Sequence, residues 1–189
     1  MVGKKNIVFG FLFLVLTAAL GPYMVKNVLP TASEAQTARV TATGKLAEVV
    51  QSNFDDPETL AKIAPDKLAQ LNSEAILGIN KQINARTPVD SIKGGPHAHG
   101  NLEALLNIAV GVVLCFVSCK RAWMKQVISW VFILGTVLHG GMLILGAVLD
   151  QAWAWQVIGT GVGPILILLG LLLAGMATAV GFRGEIVRD

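Results

Sequence analysis

The sequence predicts an all-α protein: a four-helix transmembrane bundle with a partly helical extracytoplasmic insertion between the first and second spans. Four apolar runs are each long enough for a bilayer core, which takes about 20 helical residues. They are Ile7 to Leu29, Ala98 to Val117, Val127 to Leu149, and Val157 to Phe182. The composition agrees, being 53% hydrophobic and 14% charged with mean hydropathy +0.63, far more apolar than a water-soluble domain of 189 residues. The polar residues are also segregated, because Lys26 to Lys93 holds eight basic and eight acidic side chains. The expected divisions are therefore a first span at 1–29, an extracytoplasmic, mainly helical segment at 30–95, the remaining spans at 96–182, and a tail at 183–189.

The first span opens with Lys4-Lys5, as a secretory signal does, but no small-x-small cleavage site follows Thr17-Ala18-Ala19. It reads as a retained anchor, kinked near Gly21-Pro22. In the insertion, Asp56-Pro57-Glu58 has the cap, first-turn proline and acid of a helix start. Beyond Pro65-Asp66, Leu68, Leu71, Ala75, Ile76, Ile79 and Ile83 recur at three and four, predicting an amphipathic helix that ends before Thr87-Pro88. Its apolar stripe needs a cover: residues 45–54, the membrane surface or another subunit.

Orientation follows from where the excess positive charge sits. Lys4 and Lys5 precede the first span, Lys120, Arg121 and Lys125 fill the link between the second and third, and Arg183 and Arg188 follow the fourth. The positive-inside rule makes these ends cytoplasmic, in the cytoplasmic (inner) membrane, with the polar insertion outside. Trp123 and Trp130 then mark the inner interface, and Trp153 and Trp155 the outer one. Cys115 and Cys119, one turn apart at the cytoplasmic end of the second span, read as reduced, packed small residues. Gly159, Gly161, Gly163, Gly170 and Gly175 provide surfaces for close helix contact. The partners expected are the lipid bilayer and either further copies of the chain or a larger membrane complex. Nucleic acid is not expected, since the basic residues form no patch interleaved with aromatics.

Chemistry concentrates where the insertion meets the second span, in GGPHAHGNLEALLN from Gly94 to Asn107. Ionisable side chains at that level are costly and mark sites. His99, Glu103 and Asn107 recur at spacing four and share a helical stripe. His97 lies about 200° around the helix from His99, so the two chelate one ion only if the chain is extended there. On the third span His139 lies about ten residues below the outer end, roughly 15 Å deep at 1.5 Å per residue. That is close to the level of Asn107, which suggests that the two meet. Glu103, one turn below His99, is placed to orient the His99 ring.

The four-span plan and the string from Pro96 to Cys115, with Ala98-His99 followed by small and apolar residues, resemble the styrene-oxide isomerase family of small membrane haem b proteins. A vaguer echo runs from Leu138 to Leu149. The resemblance implies haem b with His99 as axial ligand, and a ferric iron that acts as a Lewis acid on an epoxide. The family pattern has an asparagine six residues after that histidine, where this chain has Leu105; Asn107 serves only after a shift. The family also has a tyrosine on the third helix, whereas the single tyrosine here is Tyr23.

Three functions remain. A haem-binding protein, redox or isomerase, would use His99, Glu103, Asn107 and His139. A copper or zinc protein would use His97, His99 and Glu103 at the outer surface. A non-catalytic subunit would use the external helices and the glycine-rich spans as contacts. No nucleotide loop, nucleophile elbow or HExxH motif is present.

Overall fold

The computed structural model describes residues 1–56, 59, 61–119 and 122–187. Among these the regular structure is helical. It comprises α1 (Gly3–Ala18), α2 (Leu20–Asn27), α3 (Leu29–Gln51), α4 (Pro65–Ile92), α5 (Ala98–Phe116), α6 (Ala122–Thr136), α7 (Met142–Ala147), α8 (Ala152–Gly159) and α9 (Val162–Gly181). Turns at Lys93–His97, where the helix kinks at Gly95, and at Val137–Gly141, a wide π turn, lead into α5 and α7. Four helices, counted through these turns, are long and apolar enough to cross a membrane. That is the architecture of an integral membrane protein. The chain forms two compact units, residues 1–22 with 91–189, and residues 23–90.

The first unit is the apolar bundle. Its closest packing is α1 against α5, made possible by glycine where the backbones meet. A Cβ on Gly111 would stand 2.7 Å from the Gly3 carbonyl oxygen, and one on Gly10 would stand 2.7 Å from that of Ala104. Lipid offers no hydrophobic drive between helices, so close backbone approach is a main source of their association. Between α6 and α9, Gly170 admits the Phe132 ring. A core of Val110, Leu114, Ile128, Phe132, Ile167 and Ala174 joins α5, α6 and α9. Lys5 reaches Gln126, and Ser118 donates its N–H to the Gly181 carbonyl at 2.7 Å. The start of α1, the α5–α6 link and the end of α9 therefore share one rim of the bundle.

Three boundaries differ from expectation. The first span breaks at Ala19, before Gly21-Pro22, because Pro22 has no N–H for the Ala18 carbonyl. The fourth expected run, Val157 to Phe182, takes in the end of α8 and the whole of α9, parted at Gly161, whose φ of +69° suits glycine, and α9 alone is the span. The third carries the π turn around His139, where the wider winding rotates every later side chain relative to a regular helix.

The second unit is a helical hairpin of α3 and the α4 residues up to Asp90. Ala32, Ala35, Arg39, Ala42, Leu46 and Val49 face inward on α3, with Leu68, Leu71, Ala75, Gly78, Gln82, Ala85 and Val89 on α4. Both sets alternate three and four, a coiled-coil spacing. The seam is lined by small side chains: a Cβ on Gly78 would lie 3.3 Å from the Arg39 Cα. The expected stripe is thus corrected. Leu68, Leu71 and Ala75 do line the seam, but Ile76, Ile79 and Ile83 are exposed. The helix also runs through Thr87-Pro88 to Ile92. The expected helix start at Asp56-Pro57-Glu58 falls partly outside the described residues, which omit Pro57 and Glu58. Asp56 itself is non-helical; its Oδ1 accepts the Thr59 N–H at 3.3 Å, and its Oδ2 pairs with Lys67. Lys120, Arg121 and Arg188 likewise lie outside the described residues.

Candidate metal centre at His99, Glu103 and His139

The bundle holds a column of polar side chains in otherwise apolar helices. Asn6 of α1, Asn107 of α5, and Ser129 and Thr136 of α6 are each fully buried. Buried polar groups in an apolar medium must satisfy one another. Here they do so across helices. Asn6 Nδ2 donates to Asn107 Oδ1 at 3.2 Å and to the Ser129 carbonyl at 3.3 Å, and Ser129 Oγ donates to Asn6 Oδ1. Asn107 Nδ2 donates to Thr136 Oγ1 at 2.8 Å and to the Glu103 carbonyl at 3.0 Å.

One turn along α5 the column reaches Glu103, whose side chain is 5% exposed. Its Oε1 lies 2.5 Å from His139 Nδ1, and its Oε2 accepts the Gly140 N–H at 3.1 Å. With the proton on His139 Nδ1, both carboxylate oxygens are occupied by donors and His139 Nε2 is left free. This fixes the ring's orientation and tautomer, as carboxylate partners do for metal-binding histidines. The π turn matters because it carries both His139 and Gly140 to the same carboxylate. Glycine is also required there, since a Cβ at position 140 would stand 2.6 Å from Glu103 Oε2.

His99 lies one turn from Glu103 toward the start of α5. Its ring meets His139 edge to face, centroids 5.3 Å apart at 72°. His99, Glu103 and His139 each present one ligand atom within 4.8 Å of the other two. His99 is exposed on the flank of the bundle, beside exposed Leu102 and Leu105. The cluster therefore runs from a buried carboxylate, through a half-buried imidazole, to an imidazole on an apolar outer face.

Placement against the sequence expectations is mixed. His99, Glu103 and His139 come together, and Asn107 supports the cluster from below. His139, however, meets Glu103 rather than Asn107, and Glu103 orients His139 rather than His99. The level of Asn107 expected for His139 would keep it about two turns from His99, and this is corrected to ring contact between the two histidines. The expectation counted the second span from Pro96, whereas helix already precedes it, and it assumed regular winding through His139. His97 stands outside the cluster. Its Nδ1 lies 3.1 Å from the Thr17 carbonyl oxygen, and the Thr17 hydroxyl donates to Asn101 Oδ1. Asn6, Ser129 and Thr136 were missed; their signal was polarity within apolar runs that give no other reason for it.

Comparison of the chain with protein-family models, with curated proteins and with solved structures gives no match.

Proposed function

We propose that this integral membrane protein binds haem b on the His99 face of the bundle, with His99 as axial ligand and the His139–Glu103 pair behind it. The observation that carries the proposal is the placement of Glu103, whose Oε1 meets His139 Nδ1 and whose Oε2 accepts the Gly140 N–H, so that with the proton on Nδ1 both oxygens are occupied. Two imidazoles then remain as free ligands. A bare zinc or copper ion commonly takes three or four protein ligands. Haem iron brings four nitrogens of its own and needs only one or two from the chain. Ligand supply thus favours haem over a naked ion. The edge-to-face rings leave no slot for a macrocycle between His99 and His139, which argues for one axial histidine. The exposed position of His99 beside Leu102 and Leu105 favours it as that ligand.

Bound there, haem would supply Lewis-acid or one-electron chemistry at an open coordination position. The chain's own share is to hold the imidazole, to keep a proton on His139 Nδ1 and to exclude water with apolar side chains. The shared rim of Lys4, Lys5 and the α5–α6 link supports a cytoplasmic placement of both chain ends.

The test is the optical spectrum of the full-length protein purified from membranes. A Soret band lost in His99→Ala supports the proposal. A colourless, haem-free protein overturns it. A second reading, a bare copper or zinc ion, is favoured by the 4.8 Å grouping of the three ligand atoms. Stoichiometric metal without a Soret band, lost in His99→Ala and His139→Ala, would establish that reading instead.

A further inference from the structure

At the rim opposite in character to the histidine cluster, the first two turns of α1 and the beginning of α6 enclose an open cavity of about 610 Å³. It is lined by Met1, Val2, Lys4, Lys5, Val8 and Gln126. Two cations and a carboxamide therefore stand over an apolar floor made by Val2 and Val8. Lys5 is held in place from two sides, by Gln126 Oε1 at 2.5 Å and by the Trp130 ring, whose centroid lies 4.4 Å from Nζ. Lys4 is exposed, and Trp123 at the start of α6 and Trp130 at its middle are exposed too.

We propose that this cavity binds the phosphate headgroup of an anionic phospholipid, with one acyl chain running down the apolar surface beside Val8. The charge arrangement selects the ligand. Lys4 and Lys5 attract an anion, and among the described residues no carboxylate lines the cavity to oppose it. Lys–Trp contacts are favoured at a membrane–water boundary, where the ring sits at headgroup level. The membrane-spanning length of α1 begins at this rim, so a headgroup is delivered to the cavity by the bilayer itself. A soluble phosphate has the same group but lacks the chain that would cover Val8, which is exposed. Each lysine near an anionic membrane surface contributes about a fivefold gain in affinity.

The experiment uses the full-length protein in lipid nanodiscs, followed by gentle detergent release and native mass spectrometry. With equal phosphatidylglycerol and phosphatidylcholine present, the wild type should retain phosphatidylglycerol preferentially. Lys4→Gln with Lys5→Gln should reduce that retention by about 25-fold, at about fivefold per lysine. Gln126→Glu, which sets a carboxylate beside Lys5, should reduce it with both lysines still present, and Lys5→Arg should preserve it. Equal retention of the two lipids by the wild type overturns the proposal, as does undiminished phosphatidylglycerol retention in both loss variants. Displacement of the bound lipid by millimolar inorganic phosphate would assign the cavity to a soluble anion and would also overturn it.

Discussion

Asn107 is the junction of the polar column, and replacing it with leucine tests whether the column holds the bundle together. Leucine has the same branched skeleton of side-chain heavy atoms, so the change removes hydrogen bonds without opening a cavity. Two bonds between helices disappear: the one accepted from Asn6 at 3.2 Å and the one donated to Thr136 at 2.8 Å. Side-chain hydrogen bonds between membrane helices average about 0.6 kcal/mol and reach about 1.7 kcal/mol. The expected loss is therefore about 1–3 kcal/mol, small because Asn6 keeps the Ser129 carbonyl and a threonine hydroxyl can turn back to its own helix. A double-mutant cycle isolates the direct term. Asn107→Leu, Thr136→Val and the double variant are unfolded reversibly in mixed micelles by dodecyl sulfate, with tryptophan fluorescence as readout. A coupling of about 0.6–1.7 kcal/mol between the two positions is expected. Additivity within about 0.3 kcal/mol would refute the column as an energetic unit.

Other predictions follow from single contacts. Gly140→Ala places a methyl group against Glu103 Oε2 and Phe13; it should destabilise the bundle by about 1–3 kcal/mol, measured by the same unfolding assay. The His139 Nδ1 proton resonance should shift with it, because the carboxylate must move. His97→Gln should leave cofactor or metal content unchanged while lowering stability, since His97 bonds the Thr17 carbonyl rather than the cluster; loss of content equal to that of His99→Ala would contradict this placement. Gly78→Leu should separate α3 from α4, because a Cβ there is already 3.3 Å from Arg39 Cα. Limited proteolysis within residues 29–92 should accelerate while the apolar bundle stays resistant.

The four spans were legible because bilayer thickness imposes a length of apolar sequence that few other structures demand. The stripe of His99, Glu103 and Asn107 was legible too, since regular winding places residues four apart on one face. Partners on other helices were harder. The π turn at Val137–Gly141 is not written in any residue pattern, and His139 lies against Glu103 rather than one turn away at Asn107. Asn6 and Ser129 were visible as polar residues in apolar runs, but which of them would meet depended on the α1–α5 approach allowed by Gly3, Gly10 and Gly111. The hairpin seam shows the same physics. Ile76, Ile79 and Ile83 are the more hydrophobic choice, yet the tight approach at Gly78 turns Ala75 and Val89 inward instead.

The central claim is that His99, backed by the His139–Glu103 pair, holds haem b. Its most direct measurement is the pyridine haemochrome content of the purified full-length protein, compared with that of His99→Ala. The account predicts stoichiometric b-type haem in the wild type and its loss in the variant. Protein that is free of haem when purified from haem-replete cells, or haem retained in full by His99→Ala, would contradict it.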